Sequence, residues 1–213
     1  MYLLVIVQIH FSLFSLRKTF LFSLIFLVKI IAMGDEITFS EKILSQIIDR
    51  QERFFINYSS AQLNEKEMTR HAQEIVAEYE SYLSQNPRDE NALILFGKFL
   101  RKVGQEEHAA EYFLEADKIN PKLAVVKQQL ANFLIEKNRP VDAFPLLILT
   151  IQLNPQEAVY HFQLGNFLFL FEKELVSEKI FTNLSAQSFM HRCFFEAKSL
   201  QPNNFDFQLR YAQ

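Results

Sequence analysis

With only four glycines, one cysteine and no tryptophan among 213 residues, this chain lacks the raw material of several protein classes. Gly34, Gly97, Gly104 and Gly165 are too few and too scattered for a Walker loop, a dinucleotide fingerprint or a GxSxG nucleophile turn. The lone Cys193 cannot form an intramolecular disulfide framework, and it leaves the redox compartment open. His10, His71, His108, His161 and His191 lack the i, i+4 spacing of a helical zinc site. His191 and Cys193 are two residues apart, so on a helix they point in different directions and make no nucleophile–base pair. Glu106, Glu107 and Glu111 read as helix-start charges favoured by the dipole. We therefore expect no catalytic residue, no metal and no cofactor.

An excess of basic residues is missing as well. The net charge is −3, and residues 1–33 hold Arg17, Lys18 and Lys29 but no acid, which leaves 19 basic against 25 acidic residues beyond them, or −6. Nucleic acid is not an expected partner on that balance.

What the chain has in abundance is phenylalanine, 23 residues, and a period. Asn86-Pro87, Asn120-Pro121 and Asn154-Pro155 are each 34 residues apart. Aligning the copies gives columns between the prolines: Phe96, Leu130, Leu164; Gly97, Ala131, Gly165; Phe99, Phe133, Phe167; Leu100, Leu134, Leu168. Within a copy the apolar residues recur at helical spacing, as in Leu93, Phe96, Phe99, Leu100 and Val103, then in Ala109, Phe113, Ala116 and Ile119. Each copy thus reads as two helices. Gly104 or Asn138, both tolerant of the left-handed conformation, ends the first, and the proline closes the second.

These residues resemble the tetratricopeptide repeat family. Gly97, Ala109, Phe113, Ala116 and Pro121 fall at its signature positions in the first clear copy; the second keeps Leu130, Ala131, Leu134, Ala143, Leu147 and Pro155, with Thr150 where alanine is usual. The resemblance spans residues 87–213 and implies an all-α, α-α superhelix, a solenoid of antiparallel helix pairs. Repeats are expected at about 90–121, 124–155 and 158–202, with a partial one from Phe205. Small Gly97 and Ala109 would let the helices of a pair approach, while Phe113, Leu100 and Phe99 would fill the space between neighbouring pairs.

The flanking segments depart from this pattern. Residues 1–33 form a hydrophobic leader. One reading, slightly preferred, is a membrane-directed or export segment; the other is translation from Met33, with a cytoplasmic protein. Residues 34–86 read as a divergent capping pair. Its helices cover Phe39–Phe55, opened by a Thr38–Glu41 capping box, and Glu65–Leu83, with a turn from Asn57 to Asn64. Pro155 and Pro202 are 47 residues apart, 13 more than the period, and the excess is expected in the turn at 172–185 as a short docked helix. Either a lid or partner-docking role or a packing role fits that insertion. Pro145 lies one turn into its helix, where a kink or a late start is expected. Phe207 and Tyr211 are expected to lack a covering helix. That edge at 205–213 suits a further repeat, a partner or a second copy.

Function in a stack of this type is implied on the concave surface lined by the first helices. One column there reads Lys98, Asn132, Asn166 and Gln213; another reads Leu95, Gln129, Gln163 and Arg210, with Gln128 beside them. Side-chain amides both donate and accept, which suits capture of an extended peptide backbone. Lys98, Asn132 and Arg210 resemble parts of the family's terminal-carboxylate clamp, while its remaining basic positions are absent. The expected function is a non-catalytic scaffold for a protein or extended peptide. Alternatives are a substrate-presenting part of a larger enzyme or transferase and a structural element of a membrane-associated assembly.

Overall fold

The computed structural model describes residues 38–59 and 64–212, so both readings of the leader, and Gln213, lie outside the described residues. The chain divides into two compact units, Met1–Ile48 and Asp49–Gln213. In the described part of the first, helix α1 (Phe39–Ser59) opens on the expected capping box. Glu41 N–H donates to Thr38 Oγ1 at 3.2 Å, and Thr38 N–H donates to Glu41 Oε2 at 2.8 Å. Leu44 and Ile47 are buried. The helix runs four residues beyond its expected end at Phe55.

The second unit contains the end of α1 and helices α2 (Glu65–Gln85), α3 (Glu90–Lys102), α4 (Glu106–Ile119), α5 (Ala124–Glu136), α6 (Pro140–Leu153), α7 (Ala158–Ser177), α8 (Asn183–Leu200) and α9 (Phe205–Ala212). Among the described residues every regular element is an α-helix, and no helix is long and apolar enough to cross a membrane. From α2 to α9 each helix packs on the next, and the closest associations are α3 with α4, α5 with α6 and α7 with α8. Those are the expected hairpins. Asn86, Asn120 and Asn154 each end a second helix, their N–H groups donating to the carbonyls of Tyr82, Ala116 and Thr150. The proline that follows has no N–H with which to continue.

The column of small residues has a physical cause. A β-carbon added to Gly97 would lie 2.7 Å from the Phe113 ring, and one added to Gly165 would lie 2.6 Å from Phe194. In the middle hairpin Ala131 shares a core cluster with Leu147 instead. The larger gap thus goes with the larger side chain, and Phe113 seals its own hairpin. Tyr79 extends the aromatic core by stacking on Phe96, with ring centroids 4.9 Å apart. Lys127, at a position where the first repeat has Leu93, is buried with Nζ 2.6 Å from Asp117 Oδ1, joining α4 to α5.

Each first helix ends in the same left-handed cap. Gly104 (φ 82°), Asn138 (φ 57°) and Lys179 (φ 58°) hold the positive φ. In each case the N–H of the next residue reaches back five positions: Gln105 to Leu100 O, Arg139 to Leu134 O, Ile180 to Leu175 O, at 2.8–2.9 Å.

The excess of the third hairpin includes the expected short docked helix, at residues 172–177, set off from residues 158–170 by a break at Phe171. Helix α7 has 20 residues against 13 in α3 and α5, α8 has 18 against 14, and their connection has five against three. Seven, four and two residues account for the excess. A local break at Phe171 (φ −116°, ψ 19°) is followed by two more turns that bury Leu175. Across this break Leu175 still joins the core cluster that holds Leu168. Two other expectations are corrected. Pro145 neither delays nor interrupts α6, which runs from Pro140 to Leu153. Its missing N–H affects the carbonyl of Val141, in the first turn of the helix. Finally, Phe207 is not left uncovered. It is 2 % exposed, its ring 4.6 Å from that of Phe162, because α9 turns this face toward α8. Phe205, at 72 %, and Leu209 are the exposed large apolar side chains there.

Candidate interaction face

The first helices α3, α5, α7 and α9 are joined by side chains into one continuous face. Arg101 on α3 donates from Nη1 to Gln129 Oε1 at 2.8 Å and from Nη2 to Glu136 Oε1 at 2.9 Å, both on α5. Gln128 Nε2 donates to Gln163 Oε1, and Gln163 Nε2 donates to Asn132 Oδ1, each at 2.6 Å, linking α5 to α7. Arg210 on α9 donates from Nε to Asn166 Oδ1 at 3.1 Å.

The structure therefore brings Gln128, Asn132 and Gln163 into one amide chain and pairs Asn166 with Arg210. Gln129 belongs to the Arg101 bridge instead. Gln129 and Gln163 are buried, so part of the amide column holds the helices together. An amide has two N–H groups and two lone pairs, so the bonds of this chain leave each amide with capacity for a further bond.

Lys98 lies on α3 one turn from Lys102. Burial, reinforced by the nearby charge of Lys102, pushes its ammonium down to about 8. Burial also lowers Lys102, whose Nζ stands 4.3 Å from the centre of the Phe55 ring. An anion arriving here would relieve the repulsion between the two and draw Lys98 back up toward its ordinary value. The Arg210 guanidinium lies over the Phe169 ring, with Cζ 4.7 Å from the centroid.

Arg101, Lys102, Glu136 and Phe169 were not among the expected site residues. Continuing the 34-residue alignment three and four positions past Lys98 would have found them, in columns Arg101, Ile135, Phe169 and Lys102, Glu136, Leu170. His191 and Cys193 are placed apart: Cys193 is buried, which pushes its thiol up to about 12, while His191 is exposed against Tyr211.

No family model matches the chain, and no curated protein matches it. Several solved structures are similar. A double mutant of MamA RS-1 is 15% identical, covering 84% of this chain and 83% of its own, with a TM-score of 0.56. A MamA crystal structure is 13% identical, with coverage of 80% and 79% and a TM-score of 0.55. MamA from position 41 to its end, from Desulfovibrio magneticus RS-1, is 14% identical, with coverage of 84% for both chains and a TM-score of 0.55. Likeness at these identities is likeness of fold. Taken with the 34-residue columns and the helix pairs they build, it shows that the chain adopts the tetratricopeptide-type repeat fold.

Proposed function

We propose that the chain is a non-catalytic interaction scaffold that holds an extended, acidic segment of a partner protein along the face of α3, α5, α7 and α9. One observation carries the reading. Beyond residue 33 the chain has a balance of −6, yet Lys98, Lys102 and Arg210 stand on this face around a row of amides, with Glu136 offset by Arg101. A cationic strip on an acidic molecule draws an acidic ligand, and the amides suit the backbone of an extended chain.

The test is fluorescence anisotropy with capped acidic, neutral and basic peptides at low and high salt. The acidic peptide is expected to bind best, to weaken with salt, and to lose most of its affinity to Lys98→Glu with Lys102→Glu. Equal binding of all three peptides would reject the reading. Circular dichroism of the double variant guards against misfolding.

A further inference from the structure

We propose that two copies of this chain pair through the outer side of α9, antiparallel about Gln208, with Phe205 of each seated between the partner's Leu209 and the partner's Ala212. The inference is independent of the acidic-segment reading, because it concerns the side of α9 turned away from α7 and α8.

That side is apolar and exposed. At about 100° per residue, Phe205, Leu209 and Ala212 fall within about 60° of one another around the helix. Phe205 is 72 % and Leu209 47 % exposed, and Ala212 is exposed beside them. The opposite side is the packed one: Phe207 meets Phe162, Arg210 reaches Asn166 on α7, and Tyr211 lies against Phe195 on α8. A helix that is apolar on two sides calls for cover on both.

The repeat pattern says what cover fits. The step of 47 residues that carries Pro155 to Pro202 also carries Gly165 to Ala212. Ala212 thus continues the column of small residues, in which Gly97 and Gly165 each face a phenylalanine ring of the second helix, Phe113 and Phe194. The matching cover for α9 is a helix that brings a large side chain to Ala212. A second α9 brings Phe205.

Charge favours that occupant and sets its register. Asp206 and Arg210 lie on one flank of the apolar stripe and Gln208 on the other. In an antiparallel two-fold pair like flanks meet, so pairing centred on Gln208 sets Asp206 opposite the partner's Arg210, and the same contact forms a second time by symmetry. A parallel pair would turn this flank toward Gln208 and match neither charge. Arg210 is already held by Asn166 and by its place over Phe169, so it loses little freedom when a partner arrives. A helix of eight residues covers less than the ~800 Å² per partner of a standard interface, so the dimer is weak and depends on concentration. It sets two copies of the interaction face in one particle, which favours a partner with two binding segments.

Sedimentation of the full chain over a concentration series is expected to show a monomer–dimer equilibrium. Phe205→Asp with Leu209→Asp should weaken it about tenfold or more and, since both side chains are exposed, should keep the melting midpoint. Asp206→Arg alone and Arg210→Glu alone should each weaken it, because each sets like charges together twice. Mixing the two variants should restore it, because the mixed pair regains both attractions. Gln208→Cys adds an exposed thiol to a chain whose Cys193 is buried, and it should give a disulfide-linked dimer on air oxidation while Lys118→Cys on α4 does not.

A chain that stays monomeric at every concentration, an association that survives the apolar double variant, or a mixture no better than either charge variant alone would each overturn the proposal. The peptide anisotropy is a separate readout, so the two readings fail separately.

Discussion

The second hairpin, α5–α6, and the third, α7–α8, cross by different means. One sets Ala131 in a core with Leu147; the other sets Gly165 under the ring of Phe194. The sequence distance from small residue to large is 16 in the second hairpin and 29 in the third, so all thirteen additional residues lie on the tip side of the crossing. The difference teaches that volume at the crossing is conserved as a sum, while length beyond it varies freely, provided that it comes in near-whole turns. Seven residues in α7 and four in α8 are close to two turns and one.

Truncation at the crossing should have the largest effect. Phe194→Ala is expected to destabilise by about 3–5 kcal/mol, because glycine opposite cannot fill the space. Phe194→Leu should cost less. Adding Gly165→Ala to Phe194→Leu should recover stability, since it rebuilds the pair of the second hairpin. Urea unfolding of the three variants checks this, and a double variant weaker than Phe194→Leu alone would contradict the conserved-sum account.

A smaller effect is expected where the hairpins differ in their caps. Lys179 holds the left-handed position that Gly104 fills in the first hairpin and Asn138 in the second. The left-handed conformation costs an ordinary residue roughly 1–2 kcal/mol, less the entropy that glycine would lose. Lys179→Gly should therefore raise stability by roughly 1 kcal/mol or less, seen as a higher thermal midpoint. Gly104→Lys should lower it.

The smallest expected effect is a slope rather than a midpoint. In the column Lys98, Asn132, Asn166 only the first hairpin has a titrating group. Its folded value of about 8 lies below the ordinary 10.5, so between those limits the unfolded chain binds the additional proton and stability rises with pH. Below pH 8 both states are protonated and Lys98 contributes no slope. Unfolding midpoints measured across this window in wild type and Lys98→Gln should diverge, with the flatter line belonging to the variant.

The period, the helix pairs, the Thr38–Glu41 capping box and the role of Gly104 and Asn138 were all readable from residue types, because each is a local rule with few exceptions. Lys179 was not, since lysine gives no sign that it will adopt positive φ; the hydrogen bonds around Leu175 decide it. For the face, residue type placed the amides on the first helices but could not show that Gln163 bonds to both Gln128 and Asn132. Such pairings depend on the distance between helices. Thr150, which looked like a departure from an alanine column, is buried and returns its hydroxyl hydrogen to Leu146 O at 2.8 Å, so its polar atom is satisfied within its own helix.

Growth at the tip alone has a geometric consequence for assembly. The added length folds back on the stack: Leu175 is fully buried in the core of the second hairpin, and the Phe181 ring meets Phe144 of α6 edge-on, with centroids 5.3 Å apart. Cutting it back by two turns would strip that cover from the neighbouring hairpin, so the extra turns act as a buttress and not as an appendage.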